Sequence, residues 1–128
     1  MVTRDVDFVV AVDEIDQAVN VLEAVGFKAE RYDWSVNFLG RSQVSLQLST
    51  EDFYRDFTSR SVPADVHGIL LRVAALEDTL AGKIKAWRTP GRRPSEAIKD
   101  LGDVARLIEA HPALLASLPP DVTRALER

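Results

Sequence analysis

The sequence contains no cysteine, and this absence restricts both the location and the chemistry of the protein. Without cysteine there are no disulfides and no thiolate metal sites, so a reducing cytoplasm is the expected setting. No apolar run approaches the roughly 18 residues of a membrane span. The acidic N-terminal segment is also unlike a signal peptide. The sequence therefore predicts a cytoplasmic protein without a membrane segment.

Histidines and glycine-rich motifs are also scarce. His67, at the start of an expected strand, and His111, at an expected helix end, have no partner at metal-ligand spacing. Both are expected to be structural. The sequence contains no P-loop and no Gly-x-Gly-x-x-Gly motif, which excludes the common glycine-rich phosphate-binding loops.

The composition is that of a globular protein with a moderate negative charge. The 128 residues are 46% hydrophobic and 28% charged, with a net charge of −4. This length suits one domain, over residues 1–128, with a hydrophobic core of its own. A negatively charged chain is poorly suited to coating nucleic acid, although Arg88, Arg92 and Arg93 form one local basic cluster.

Hydrophobic periodicity and turn residues predict an α/β (α+β) fold, with a mixed sheet flanked by helices. Strands are expected over 5–11, 28–32, 35–39, 43–48 and 66–73. Helices are expected over 14–25, 51–59, 75–88 and 95–110, with short helices or turns after Pro112 and Pro119. The short connection between the last two long helices predicts an antiparallel helical hairpin.

Local signals predict several helix boundaries. Asp13, Thr50 and Ser95 are suitable N-caps for the first, second and fourth helices. Gly26 is a suitable C-terminal stop for the first helix, with Phe27 folding back onto its last turn.

Asp5 and Asp7 are the first candidate site. Residues i and i+2 of a strand project to the same side, about 6.6 Å apart at the backbone. Two such carboxylates can converge on one Mg²⁺ ion, as metal-assisted phosphoryl transfer requires. The alternative interpretation is a solvated strand face, because Asp-x-Asp is a common pattern.

Lys83 and Asp100 are the second candidate pair. Lys83 lies at the edge of the apolar stripe of its helix, where its stem can lie on apolar surface while the ammonium reaches water. Asp100 lies on the flank of the next stripe and is expected to meet Lys83 in a salt bridge that holds the hairpin. Lys99 and Asp103 are expected to point outward.

The arginines beside Pro90 and Gly91 allow two interpretations. Guanidinium groups such as those of Arg92 and Arg93 suit phosphate binding. They also suit a solvated loop at a helix C-terminus, where positive charge is favourable.

Three segments resemble the bacterial nucleotidyltransferase superfamily, especially its small toxin-related branches. Residues 3–10 are similar to its metal-binding strand, and residues 73–86 are similar to its helix after the last strand. Arg92-Arg93, followed by Lys-Asp-Leu-Gly-Asp over 99–103, is similar to its Arg…Lys-Asp-Leu-x-Asp helix. The resemblance spans nearly the whole chain, and its C-terminal part is the more specific.

The resemblance implies a Mg²⁺-dependent transfer of NMP from a nucleoside triphosphate to an acceptor hydroxyl. Asp5 and Asp7 would bind the metal and the triphosphate, Lys83 would face the phosphates or the cleft, and Asp100 would support that lysine. Arg92 and Arg93 would contribute to nucleotide binding. The acceptor could be RNA, a protein or a small molecule.

Two elements of the family pattern are not found in the sequence. The family has a Gly-Gly or Gly-Ser turn about ten residues before the Asp-x-Asp strand, whereas this sequence begins on the strand. The family often has a third acid on a central strand, where this sequence has Ser45 and Gln47. These departures predict a partial or degenerate site. They also keep open a non-catalytic binding or regulatory module, such as a toxin–antitoxin component that forms a homodimer or binds a partner protein.

Overall fold

The computed structural model describes residues 14–41 and 45–128 in full, and residues 5–8 by their backbone. The predictions for Val9, Val10, Asp13 and Val44 lie outside the described residues. The chain divides into two compact units, Met1–Arg72 and Val73–Arg128, which we call the sheet unit and the helical unit. Among the described residues, no helix is both long and apolar enough to cross a membrane.

A four-stranded mixed sheet is the main element of the sheet unit. Its strands are β1 (Asp5–Phe8), β2 (Lys28–Arg31), β3 (Ser35–Leu39) and β4 (Ser45–Ser49). The spatial order is β1-β4-β3-β2, with β1 and β4 parallel and the other pairs antiparallel. The mixed sheet that the sequence predicts is therefore confirmed.

Alternating apolar residues pack one face of this sheet against α1 (Ile15–Ala24). Val36 and Phe38 of β3 and Leu48 of β4 are almost fully buried together with Val19 of α1. Burying side chains of this size contributes roughly 1.5–3 kcal/mol each. The stripe that the helical period predicts is confirmed, because Ile15, Ala18 and Leu22 pack against the same cluster.

Gly26 ends α1 as the sequence predicts. It has a φ of +103°, which favours glycine, and its N–H donates to the carbonyl of Glu23 at 3.1 Å. The N–H of Phe27 donates to the carbonyl of Leu22 at 3.1 Å, which completes a Schellman motif. The Phe27 ring then packs on the sheet core, and it also approaches Gly40 so closely that a Cβ there would lie 2.8 Å from the ring.

The segment after β4 corrects two predictions. Instead of one helix over 51–59 there is a 3₁₀ turn (Asp52–Tyr54) followed by the short helix α2 (Phe57–Arg60). Glu51 precedes the 3₁₀ turn as its N-cap, and no side-chain hydrogen bond caps it, so the predicted cap at Thr50 is wrong. Edge-to-face contacts between Phe53, Tyr54 and Phe57 hold the two pieces together.

The strand predicted over 66–73 is half of a hairpin, formed by β5 (Val62–Val66) and β6 (Ile69–Val73). Its turn consists of His67 and Gly68, which have φ of +52° and +83°. Two positive φ values in a two-residue loop are the type I′ geometry that matches strand twist. His67 is thus a turn residue and not a strand residue. The sequence analysis does not predict β5, because the strand contains Pro63. Proline is nevertheless tolerated in edge strands.

The helical unit contains α3 (Leu76–Trp87), α4 (Pro94–Ala110), a 3₁₀ segment (Pro112–Ser117) and α5 (Pro120–Leu126). Its core is formed by Leu80 and Ile84 of α3, Val104 of α4, Leu114 and Val122. The helical hairpin and the short terminal helices are confirmed. The predicted cap at Ser95 is wrong, because Pro94 takes the first helical position and Arg93 is the N-cap.

Candidate functional site

The backbone pairing places the two aspartates of β1 beside polar residues of the neighbouring strand. Asp5 pairs with Ser45 and Asp7 with Gln47 in the parallel ladder between β1 and β4. Gln47 in turn pairs with Asn37 on β3. The two residues that the sequence predicts as metal ligands therefore share rows of the sheet with residues that carry hydroxyl and amide groups.

One of these rows crosses all four strands. Glu30 on β2 pairs with Asn37, so Glu30, Asn37, Gln47 and Asp7 form what we call the polar row. Because side chains alternate along a strand, Asn37 and Gln47 lie on the face opposite the buried core of the sheet. Glu30, at the β2 end of the row, accepts a hydrogen bond from the hydroxyl of Tyr32 at 3.2 Å.

Asn37 contains an unsatisfied buried acceptor. Among the described residues with buried polar side-chain atoms, it is the one whose Oδ1 has no hydrogen-bond partner. A buried acceptor without a donor costs about 1–3 kcal/mol. Groups of this kind are usually satisfied by an ordered water, an ion or a ligand. The polar row therefore has capacity for one further interaction.

Lys83 pairs with Asp103, and not with Asp100 as the sequence analysis expects. The Nζ atom of Lys83 lies 2.9 Å from Oδ2 of Asp103, whose side chain is 18% exposed. The predicted pair with Asp100 is wrong, and so is the prediction that Asp103 points outward. The relative offset of two packed helices decides which carboxylate a lysine reaches, and periodicity within each helix does not determine that offset.

Asp103 joins two cations. Besides Lys83 it accepts a hydrogen bond from the guanidinium of Arg106, one turn along α4. Burial alone would raise the pKa of Asp103, but the hydrogen bonds from Lys83 and Arg106 outweigh burial and hold this pKa below its ordinary value. The carboxylate is therefore charged at neutral pH and keeps both cations close to it.

Asp100 is almost fully buried and bonds to a different cation. Its Oδ2 accepts a hydrogen bond from Nε of Arg92 at 2.9 Å, and its side chain is 5% exposed. Arg92 also approaches Glu96 at 3.7 Å, and Arg93 reaches the same glutamate at 3.2 Å. The Arg-Arg pair of the loop therefore anchors the start of α4, and its predicted role in nucleotide binding stays a prediction.

Arg88 forms a bidentate ion pair in the helical unit. Its Nε and one terminal nitrogen donate to the two carboxylate oxygens of Asp121, at 2.9 and 2.6 Å. These hydrogen bonds lower the pKa of Asp121 and raise that of Arg88. The pair connects the end of α3 to α5, and its two residues are 33 positions apart in the sequence. Local sequence patterns do not predict a contact at that separation.

Similarity to known proteins places these features in a family. A model described as the nucleotidyl transferase AbiEii toxin of type IV toxin–antitoxin systems matches residues 2–127. The chain belongs to the AbiEii nucleotidyltransferase toxin family. No curated protein sequence matches it.

A solved structure shows the same fold. The chain is similar to the lincosamide antibiotic adenylyltransferase LnuA in its lincomycin-bound crystal structure, with a TM-score of 0.51 and 12% identity. The alignment covers 81% of this chain and 72% of that chain. The family match confirms the nucleotidyltransferase resemblance, and the solved structure confirms the α+β fold. The AbiEii chain is a nucleotidyltransferase-like, toxin–antitoxin-related protein. Enzymes of this kind use a nucleoside triphosphate and a divalent metal ion.

Proposed function

We propose that this AbiEii-family chain transfers a nucleotide from a nucleoside triphosphate to an acceptor hydroxyl, with Asp5 and Asp7 as ligands of Mg²⁺. The observation that carries the proposal is the register of β1, which pairs Asp7 with Gln47 at the end of the polar row. In the superfamily that the sequence resembles, the Asp-x-Asp strand binds the metal; here that strand is an edge strand, and Asp7 stands at the β1 end of the polar row.

The donor chemistry of the polar row fits a hard divalent cation. Mg²⁺ prefers oxygen ligands and is often held by one or two carboxylates together with substrate phosphates and waters. Asp5 and Asp7 supply two carboxylates, and their row partners Ser45 and Gln47 on β4 supply a hydroxyl and an amide oxygen beside them. Elsewhere, the fully described residues 14–41 and 45–128 contain no group of three metal-ligating side chains that would compete for the ion.

The transfer that this site would perform is a displacement at phosphorus. The oxygen of the acceptor hydroxyl forms a bond to the α-phosphorus, and the bond from that phosphorus to the bridging oxygen of the β-phosphate breaks. Pyrophosphate leaves, and the hydroxyl proton passes to solvent. The bound cation supplies positive charge for the phosphate oxygens. Asp5 and Asp7 orient it, and no third acid is available on β4, where Ser45 and Gln47 stand.

Lys83 is our proposed phosphate contact in the helical unit. Its side chain is 38% exposed, and its ammonium pairs with the carboxylate of Asp103. An ammonium held in place by one carboxylate can still donate two more hydrogen bonds. Asp100 and Arg92 already bond to each other, so we assign them to the scaffold of α4 and not to direct nucleotide contact.

Calorimetric titration of each nucleoside triphosphate into the chain, with Mg²⁺ or Mn²⁺, tests the proposal. We expect saturable, metal-dependent binding that Asp5→Asn and Asp7→Asn each abolish. Asp33→Asn is the matched control, because Asp33 is an exposed residue of the same unit outside the polar row. Equal binding by Asp7→Asn and Asp33→Asn would remove the role that we give to the first strand.

A second function is favoured by the amides of the polar row. Asn37 and Gln47 stand where a carboxylate would be a stronger metal ligand and a possible base. A chain with such a row could bind nucleotide without transferring it and act as a regulatory module, alone, as a homodimer or with a partner protein. Binding without any pyrophosphate release, across RNA, protein and small-molecule acceptors, would favour this second function.

A further inference from the structure

Two large aromatic side chains lie exposed in the turn between β2 and β3 of the sheet unit. Tyr32 and Trp34 are 58% and 68% exposed, and Asp33 between them is exposed as well. The two rings belong neither to the core of the sheet unit nor to the polar row. We call this turn, together with Glu30 at the end of the polar row, the aromatic corner.

Hydrogen bonds fix the shape of the aromatic corner. The N–H of Tyr32 donates to the carbonyl of Ser35 at 2.8 Å, which closes the turn. The N–H of Thr50 donates to the carbonyl of Trp34 at 3.0 Å, which ties the turn to the residue after β4. The phenol of Tyr32 donates to Glu30 at 3.2 Å. Aromatic side chains offer a large contact area at a low cost in conformational entropy, so this turn suits a binding surface.

The unpaired charge beside the two rings is negative. Asp33 makes no hydrogen bond or ion pair with any residue of the described structure. The carboxylate of Glu30 has acceptor capacity beyond its bond from the phenol. Of the nearby cations, Arg31 pairs with Asp16 at 3.0 Å, and Lys28 lies at the opposite end of β2. A cation at the corner would therefore be attracted both by the carboxylates and by the ring faces.

The charge of the whole sheet unit favours the same kind of partner. Residues 1–72 contain 12 acidic and 7 basic side chains, a net charge of −5, whereas residues 73–128 contain 8 and 9. Nucleic acid is a polyanion that binds through lysine and arginine, so this surface disfavours RNA even though bases stack on aromatic rings. Charge complementarity therefore selects a basic partner.

The exposure of the rings distinguishes a protein partner from a small molecule. Small-molecule sites are concave and enclose most of the ligand. Rings that are more than half exposed lie instead on open surface. Protein interfaces are enriched in tyrosine, tryptophan and arginine, and these residues supply much of the binding energy.

We propose that the aromatic corner docks a basic segment of a protein partner. An arginine or lysine of that segment lies over the ring of Trp34, the best ring for cation–π attraction, while Asp33 and Glu30 pair with its charge. A guanidinium suits this geometry particularly well, because it stacks on aromatic faces and pairs with carboxylates through two N–H groups. The docking needs neither metal nor nucleotide, and β4 and β3 separate the corner from Asp7 on β1.

Titration of a peptide of alternating arginine and glycine into the intact chain with EDTA, followed by NMR, tests the proposal. We expect saturable shifts of the Trp34 indole signal. Trp34→Ala and Asp33→Asn should each weaken binding about two- to fivefold, the effect of losing one exposed cation–π contact or ion pair. Trp34→Phe should keep most of the affinity, because a ring remains. Glu23→Gln is the matched control, since it removes one exposed acid of the same unit outside the corner.

Four results would overturn the proposal. An equal loss in Glu23→Gln and Asp33→Asn would mean diffuse attraction to an acidic unit. Equal binding of a peptide with glutamine in place of arginine would remove the role of the cation. Trp34-dependent binding of single-stranded RNA in place of the peptide would replace the protein partner with nucleic acid. Spermidine that binds as tightly as the peptide would replace it with a small cation.

The aromatic corner and the proposed metal site can be separated by their variants. Asp33→Asn should weaken peptide binding and leave metal-dependent nucleotide binding unchanged. The double variant Asp5→Asn, Asp7→Asn should abolish nucleotide binding and leave peptide binding unchanged. If nucleotide binding is absent in the unmodified chain while Trp34-dependent peptide binding is present, only the proposed function fails.

Discussion

The sheet unit and the helical unit differ in whether their buried or half-buried polar side chains have partners. The polar row of the sheet unit combines amide residues with a buried acceptor, Asn37 Oδ1, that has no partner in the described structure. The helical unit pairs its charges internally, as in Lys83 with Asp103 and Arg88 with Asp121. Unsatisfied groups indicate where an external ligand completes the structure, whereas paired charges mainly position helices. This difference supports our proposal that the metal chemistry belongs to the sheet unit.

The largest expected effects come from truncating the two separate cores. Phe38→Ala removes a fully buried ring beneath the polar row, and Leu80→Ala removes a buried side chain of the helical core. We expect losses of about 3–5 and 2–5 kcal/mol in the free energy of unfolding, respectively. Urea denaturation followed by circular dichroism measures both.

The two truncations also sharpen the comparison through binding. At temperatures where each variant is folded, Phe38→Ala should weaken metal-dependent nucleotide binding more than Leu80→Ala. Of these two residues, Phe38 is the one that lies on the strand that carries Asn37. The reverse order would contradict the assignment of the metal chemistry to the sheet.

A smaller effect distinguishes the two carboxylates of α4. Asp100→Ala leaves the Arg92 guanidinium without its nearly buried partner, and we expect a loss of roughly 1–3 kcal/mol. Asp103→Ala frees Lys83 and Arg106, which are 38% and 66% exposed and can be hydrated, so it should cost less, about 1 kcal/mol at most. Thermal unfolding of both variants gives the ranking, and a larger loss for Asp103→Ala would reverse our division of roles.

These ion pairs mark the boundary of what the sequence could predict. The mixed sheet, the stripe of α1, the Gly26 stop and the helical hairpin all follow from local period and turn chemistry. The partners of Lys83 and Arg88 depend on the relative offset and packing of separate elements, which local patterns do not contain. The sequence does not predict the hairpin turn at His67, because a histidine with positive φ is uncommon. It does not predict the strand before that turn, because the strand contains Pro63.

The pH dependence of stability should identify Asp103 as a charged group. Its pKa in the folded chain lies below that of the unfolded chain, which is about 3.9. The resulting stabilisation is complete above that unfolded value and is lost as the pH falls through the folded pKa. The stability difference between the unmodified chain and Asp103→Asn should therefore be constant from about pH 7 to 5 and shrink below about pH 4. A difference that grows toward acid would contradict the assignment.

The smallest effect is expected at the surface of the sheet unit. Arg31 and Asp16 approach at 3.0 Å, but their side chains are 57% and 86% exposed. Such pairs contribute little because water and salt screen them. Arg31→Gln should change the free energy of unfolding by less than about 0.5 kcal/mol and leave nucleotide binding unaltered. A larger change in either measurement would show that surface ion pairs contribute to stability or binding in the sheet unit as well.

Paramagnetic broadening by Mn²⁺ in amide-resolved NMR spectra tests the central claim most directly. With a nucleoside triphosphate present, the account predicts that substoichiometric Mn²⁺ broadens the amide signals of Asp5 and Asp7 most strongly, followed by those of their row partners Ser45 and Gln47. In the double variant Asp5→Asn, Asp7→Asn this broadening should disappear. Broadening that persists in the variant, or that centres on exposed acids such as Asp33 or Asp52, would contradict a metal site on the first strand.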